Sequence, residues 1–411
     1  MTSKSFILSS WQQVLIGLVL GGVTGMLLGP DAKNFSYLGL IFLNLIKMVT
    51  IPMIFFTIIY GMTSIESTDG LRRISIKAVV TFMFTSVLAV SVGLLVAKIF
   101  KPGVGISPNV LNQFKGSQNL PSVESLSIPE ILIDLIPTNI VSAMAGGQIL
   151  QVIVFALFIG TIMNMKKKEC PEVIKTCQQI ALLFFKVIQT IMRIAPIGVF
   201  GYIAAIVGTE GIGILFALGK LMATIGVGCF LQYLLFGVLI IVFARMSPLP
   251  FYRKIIEPQL IAFATSSSKA TLVPLMNVIE NKLGVSKQSS RFLLPLSAAL
   301  NMDGGAIYQS ACAVFFAQMM GIDFSLGQYI TLFFMCTLAS IGGAGIPGGV
   351  LLFLGMVLNS VGLPIEGVLL VASVDRLLDM MTTVINITGG ACATVVIDRS
   401  EKTLDTEMYN K

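Results

Sequence analysis

Residues 255–283 read IIEPQLIAFATSSSKATLVPLMNVIENKL, an apolar stretch interrupted near its middle by small hydroxyl side chains. Residues 330–361, ITLFFMCTLASIGGAGIPGGVLLFLGMVLNSV, repeat that arrangement with glycines and Pro347 at the interruption. Each is long enough for two half-helices with a turn between them, and each precedes a stretch long enough to cross a bilayer. The order is broken segment, span, broken segment, span, with opposite starting sides. That order belongs to an inverted repeat, whose discontinuous segments hold substrate and ions near the midplane. Irregular backbone at such depth is tolerated only where protein buries it or it lines a cavity. Kinked but continuous spans are the other reading of the same text.

The rest of the chain supports a membrane solvent. It is 55% hydrophobic and 11% charged, with a mean hydropathy of +0.91, well outside the soluble range. Apolar windows approaching or exceeding roughly 20 residues run from Val14 to Leu28, Phe35 to Ile65, Ala78 to Phe100, and Ile136 to Met163. Others run from Ile180 to Val207, Ile212 to Phe243, Phe292 to Met320, and Ile365 to Ile397. They predict an all-α polytopic membrane protein with eight transmembrane helices plus two re-entrant helical hairpins in inverted repeats. No small-residue cleavage pattern follows the first window, so it reads as a retained helix. The ladder Gly17, Gly21, Gly22 and Gly25 reads as helix–helix contact.

Charge sets the orientation. Lys4, the Arg72/Arg73/Lys77 group, the Lys166 to Lys168 run, and Arg245 with Arg253 and Lys254 fall on one side if the amino terminus is cytoplasmic. Lys33 and the loop with Lys98, Lys101 and Lys115 load the other side more lightly. An even number of spans returns the tail to the cytoplasm, which places a multi-pass chain in the cell (inner) membrane with both termini inside. The net charge of +7 is accounted for by these loops and indicates no nucleic-acid partner. Cys170, Cys177, Cys229, Cys312, Cys336 and Cys392 form no C-x-x-C pair and suggest no disulfide or metal framework. The absence of histidine removes the usual zinc sites, Ser-His-Asp catalysis and histidine relays.

Polar residues inside apolar segments carry the functional signal, because a charge in hydrocarbon costs from about 3 to over 10 kcal/mol. In the last span Asp375, Asp379, Thr382, Thr383 and Asn386 share one helical side. Arg376 follows Asp375, and a neighbouring-helix ion pair is one structural explanation for either residue. Asp379 is the best candidate for gripping an ammonium group. The run Thr265, Ser266, Ser267, Ser268 either caps a half-helix whose free N–H groups bind a carboxylate or is a plain polar turn. Lys269 needs an anion, water or a snorkelling path. Asn301, Met302, Asp303, Gly304 and Gly305 offer hard oxygens for a small cation such as Na⁺. A glycine kink with a paired aspartate is the alternative. The tip from Gly342 to Gly349 suits carbonyl ligation, simple packing or a lid.

Four motifs in order, S-S-S-x-A-T, NMDG, GxAGxPGG and DxxxD…TxxN, resemble the dicarboxylate/amino acid:cation symporters, the glutamate-transporter family. QILQVIVF at Gln148 to Phe155 and FTS at Phe84 to Ser86 are similar to that family too. The resemblance covers essentially the whole chain. It implies a homotrimer whose transport core moves against a scaffold like an elevator. Residues 1–247 would be mainly scaffold, the third and sixth spans moving with the core; 248–398 would be that core and 399–411 a cytoplasmic tail. By position, Ser267 and Ser268 with Asn386 would hold the substrate's α-carboxylate, and Asp379 with Thr383 its amino group. Thr382, Gly345 and Pro347 complete the substrate set. Thr85, Ser86, Asn301 and Asp303 resemble one sodium site. The second hairpin and the carbonyls before Asn301 resemble another, with Ser297 and Asn386 as its candidates.

Two positions depart from the family. Members specific for acidic amino acids usually carry Arg where this chain has Thr382, which predicts a neutral side chain unless Lys269 reaches the site. Sodium-coupled members usually carry Asp where this chain has Gly390, as proton-coupled relatives often do not. With no histidine, a proton would ride on Asp303, Asp375 or Asp379. The expectation is a cation-driven symporter of small amino acids that needs no cofactor, the transported Na⁺ or H⁺ being its coupling ion. An acidic amino acid or C4-dicarboxylate carrier is the alternative. An ion channel lacks a filter repeat or charged ring. An intramembrane aspartyl protease would need two aspartates in a dyad but none of the hairpins.

Overall fold

The computed structural model describes residues 10–63, 69–105, 133, 136–342 and 349–411, and every regular element within them is helical. The first half comprises α1 (Ser10–Leu28), α2 (Ser36–Thr63), α3 (Asp69–Phe100), α4 (Ile140–Ala145), α5 (Ile149–Met165), α6 (Pro171–Ile191), α7 (Ala195–Glu210) and α8 (Gly213–Leu239). A 3₁₀ segment, Gly29–Phe35, joins α1 to α2, and a π turn, Ile240–Ala244, extends α8. Four helical stretches among the described residues are long and apolar enough to cross a membrane: Gln12–Val49, Arg73–Phe100, Gly213–Ala244 and Asp375–Ser400. Helices α6 and α7 meet at 51° and make a fifth if counted together.

Gln12–Val49 is continuous in composition, yet its packing reverses. Gly17, Gly21 and Gly25 climb α7 past Pro196, Phe200 and Ala204; Leu38, Gly39 and Phe42 then descend past Gly201, Tyr202 and Gly198. The chain turns at Gly29, whose φ of +55° suits a residue without a Cβ. Any Cβ at Gly17, Gly21 or Gly25 would lie 2.5–2.6 Å from an α7 carbonyl oxygen. Gly17, Gly21 and Gly25 therefore serve close backbone approach, as their spacing predicts, whereas Gly22 faces only the Leu215 side chain.

The second half comprises α9 (Leu249–Lys254), α10 (Ile256–Thr265), α11 (Ser268–Asn281), α12 (Lys287–Leu300), α13 (Asp303–Met319), α14 (Leu326–Gly342), α15 (Gly349–Ser360), α16 (Gly367–Ala372), α17 (Asp375–Ser400) and α18 (Thr406–Asn410). Helices α10 and α11 turn at Ser266 and Ser267 and pack on each other and on α17. Helices α14 and α15 also pack together. Their connecting tip, with Gly345 and Pro347, lies outside the described residues. Two spanning windows are interrupted, the first beside the glycines of NMDG and the second where the sequence read as continuous. Asn301 and Met302 separate α12 from α13, and Ser373 and Val374 separate α16 from α17.

Helix α17 is the axis of this half, contacted by α3, α8, α10, α12 and α13. Of its most apolar window 78% is buried inside the protein, against 28% for Gln12–Val49. At its far end Glu401 pairs with Arg73 and, at 2.6 Å, with Lys77, tying α3 to α17. The last residues are folded against the same rim. Tyr409 is buried and donates to the Ser247 carbonyl at 2.8 Å, and Lys254 Nζ donates to the Met408 and Tyr409 carbonyls at 2.9 and 2.8 Å.

Candidate functional site

The helix breaks expose backbone and aim polar side chains into the centre of the second half. Ser266 ends α10 with a left-handed φ of 49°, a strained state for a residue with a Cβ. Ser267 then caps α11, its hydroxyl accepting from the Ala270 N–H at 3.2 Å. This leaves the N–H groups of Ser268 and Lys269 at the helix start, where the macrodipole favours an anion. Ser268 is buried, whereas Lys269 and Ala270 are exposed. The serine run is thus a true half-helix start.

All five polar residues of the α17 stripe are buried, but they face different partners. Asp375 accepts from the Tyr308 hydroxyl at 2.8 Å, a neutral partner on α13. Arg376 turns the other way: its Nη1 stands 3.9 Å from Asp379 Oδ2 and its Nη2 donates to the Thr265 carbonyl at 3.4 Å. Its buried Nε–H has no acceptor among the described residues. The guanidinium therefore bridges the end of α10 to Asp379, with a donor to spare. Thr382 is fully buried and donates to the Asp379 carbonyl at 3.3 Å. Asn386 Oδ1 accepts from the Gly304 N–H at 2.8 Å, which ties the middle of α17 to the start of α13.

A second cluster lies where α3, α13 and α14 meet. Thr85 Oγ1 donates to Asn301 Oδ1 at 3.1 Å, Ser86 Oγ to Asp303 Oδ1 at 3.2 Å, and Asn301 Nδ2 to Asp303 Oδ2 at 3.2 Å. Thr85, Asn301 and Asp303 are fully buried and Ser86 nearly so. The partners of Asp303 among the described residues are neutral, so its charge has donors but no counter-ion. One carboxylate in a cage of hydroxyl and amide oxygens suits a hard monovalent cation or a proton. Among the described residues no cluster of three or more His, Cys, Asp or Glu side chains is present to hold a resident metal.

Sequence reading missed Ser340 and Gln232 here. Ser340, on α14, lies 3.0 Å from Ser86 Oγ and accepts from the Met302 N–H at 3.1 Å. It links the second broken segment to the cluster. Its only signal was a hydroxyl placed just before the glycine-rich tip. Gln232 of α8 donates to the Thr85 carbonyl at 3.4 Å, and its signal was a lone amide in an apolar helix.

A small cavity, with about 10 Å³ of free space, lies on the other side of Asn301. Ser268, Ser297, Asn301, Asn386 and Gly390 supply most of its polar wall. Its size is that of about one water, and it contains no carboxylate. A Cβ at Gly390 would run into the Ser297 hydroxyl. Ser297 therefore fills the space that a larger residue at 390 would need.

Comparison with known proteins fits this arrangement. Residues 11–400 match the Sodium:dicarboxylate symporter family. The chain is 34% identical over 393 residues to the proton/glutamate-aspartate symporter of Bacillus subtilis (strain 168), covering 95% of this chain and 94% of that one. It is 33% identical over 401 residues to the proton/sodium-glutamate symport protein of Bacillus caldotenax, covering 95% and 94%. It is 32% identical over 395 residues to the C4-dicarboxylate transport protein of Bacillus subtilis, covering 96% and 94%. Relatives of this kind are integral membrane transporters rather than enzymes. A buried carboxylate cage, a capped half-helix and an aspartate stripe, spread over a match of nearly full length, lead to one assignment: the chain belongs to the sodium:dicarboxylate symporter family.

Proposed function

We propose that this protein uses a Na⁺ or H⁺ gradient to take up small amino acids across the cell membrane. The observation that carries this reading is the separation of two carboxylates in one core. Asp303 sits among neutral hydroxyl and amide groups, and Asp379 is linked through Arg376 to the end of the first half-helix. The first is suited to the driving cation and the second to the substrate's amino group. Ser267, Ser268 and Asn386 take the α-carboxylate at the α11 start, with Thr383 beside Asp379. Eight spans and two re-entrant hairpins place this core between cytoplasmic termini. Residues 248–398, with α3 and α8, move as one body against the rest of a homotrimer. The second hairpin closes only over a doubly loaded site, so coupling is the difference in affinity between its open and closed states.

Thr382 leads to the neutral side chain expected from sequence, but its hydroxyl proton goes to its own helix, so it offers a substrate carboxylate no donor. Arg376 supports the acidic alternative, because its guanidinium reaches the Asp379 region with an unused donor. The substrates for which the relatives are named are acidic as well. We therefore favour an acidic amino acid, held at its second carboxylate by Arg376. Uptake of labelled aspartate, glutamate, alanine and serine into proteoliposomes, under a Na⁺ or a pH gradient alone, tests this. Arg376→Gln should weaken aspartate uptake about tenfold, the loss of one charged hydrogen bond, and leave alanine unchanged. A wild type that prefers alanine or serine returns the assignment to Thr382. Loss of aspartate uptake in Lys269→Ala alone gives the role to Lys269.

A further inference from the structure

Gln232 is fully buried in α8. Its Nε2 donates to the Thr85 carbonyl at 3.4 Å, and its Oε1 has no hydrogen-bond partner among the described residues. Its direction is fixed from both sides. Four residues earlier, Gly228 lets α8 close on Ile307 of α13 and Val96 of α3; four residues later, Phe236 meets Gly389 of α17. Gly228, Gln232 and Phe236 share one helical face. Gln232 therefore lies over the place where α3, α13 and α17 come together. At that junction an added Cβ on Gly389 would lie 2.6 Å from Asp303 Oδ2 and 3.1 Å from Asn301 Nδ2.

An apolar side chain of the same length would fill this space without desolvating an amide. The amide has two ends with different uses. Its nitrogen holds the backbone of Thr85, whose hydroxyl belongs to the Asp303 cage, and its oxygen is a buried acceptor with no partner among the described residues. An acceptor without a donor is satisfied by a cation or by the water a cation brings.

We propose that Gln232 is a positioning residue of the cation site. Through the Thr85 carbonyl it holds α3 so that Thr85 Oγ1 and Ser86 Oγ face Asp303, and its Oε1 adds an outer oxygen to the site. This rests on the cation-symport reading of the Asp303 cluster. It adds α8 as a fourth wall to a cage that α3, α13 and α14 already form.

The test uses the full-length protein in proteoliposomes and the labelled amino acid that the wild type transports best. Na⁺ is titrated at fixed pH, then pH at fixed Na⁺. In Gln232→Leu and Gln232→Met, half-activation by the driving cation should need about fivefold more of it, the equivalent of one lost hydrogen bond. The KM for amino acid at saturating cation should stay unchanged. Combined with Ser86→Ala, the Gln232→Leu shift should be smaller than the sum of the two single shifts, because both act on one site. Unchanged half-activation in both the Leu and Met variants overturns the proposal. So does an equal rise in amino acid KM at saturating cation, which marks simple packing. A wild type indifferent to both cations overturns the symport reading beneath it, a separate result.

Discussion

Two polar regions meet at Asn301, and they differ by one charge. On one side Thr85, Ser86 and Ser340 surround Asp303; on the other, Ser268, Ser297, Asn386 and Gly390 surround a space for about one water. Both offer oxygen atoms at similar burial. Only the first offers a carboxylate, and in a low-dielectric interior a formal charge decides whether a bare cation is stable. On the proposed function the contrast gives one strong ion site in the core, beside a neutral space that a hydroxyl has partly filled.

The largest expected effect comes from erasing the contrast. Asp303→Asn removes the carboxylate of the cage while keeping its shape. Cation-driven accumulation should fall by about two orders of magnitude or more, the scale of losing one partner of a buried charge–ligand pair. Uptake against imposed Na⁺ and pH gradients measures it, and normal coupling in the variant would remove Asp303 from the ion site. Asp379→Asn should raise the KM for amino acid by about tenfold or more, a charged hydrogen bond lost, while half-activation by the cation changes little. Equal shifts in both quantities would merge the two carboxylates into one site.

The opposite manipulation gives the neutral space a charge. Gly390→Asp alone should express poorly, because its Cβ meets the Ser297 hydroxyl. Ser297→Gly with Gly390→Asp should restore expression and make the Na⁺ dependence of uptake steeper. A Hill coefficient equal to that of the wild type would show that the added carboxylate holds no ion.

The smallest effect lies outside both regions, at the rim. Hydrogen bonding from Lys77, then from Arg73, holds the Glu401 carboxyl below its ordinary range. A depressed carboxylate stabilises the folded state above its unfolded pKa and loses that contribution as pH falls through the folded value. Glu401→Gln should therefore lower thermal stability modestly at neutral pH. It should also flatten the decline seen in the wild type below about pH 4.5, where ordinary carboxyls begin to protonate. An unchanged acid profile in thermal unfolding would dismiss this pair as a stabilising link. Transport parameters should not move.

Much of this core was legible in the sequence, for a physical reason. Polar groups in an apolar helix are costly, so Asp303, Asp379 and the serine run stood out against their surroundings. Helix breaks at Ser266 and Asn301 were likewise marked by residues that cap or weaken helices. Other features were harder to read. A neighbouring-helix ion pair was one explanation for Asp375 or Arg376, whereas the guanidinium turns to Asp379 on its own helix and to the end of α10. Thr382, read as part of the substrate set, donates its hydroxyl within its own helix, a contact periodicity does not foretell. Rotamer choices of this kind depend on the facing helices, which periodicity does not specify.

The amino-acid sequence by itself determined the membrane solvent, the break at Ser266 and the family, because each follows from local composition and spacing. The resemblance grouped Thr85 and Ser86 with Asn301 and Asp303, but tertiary packing supplied the contacts among them and added Ser340. Thr85 and Asn301 are far apart in the chain, as are Ser86 and Ser340, and only the close approach of α3, α13 and α14 brings them within hydrogen-bonding distance. Ser297 filling the gap at Gly390, and Gln232 standing behind Thr85, belong to the same category. They are properties of how helices touch, and no single helix contains them.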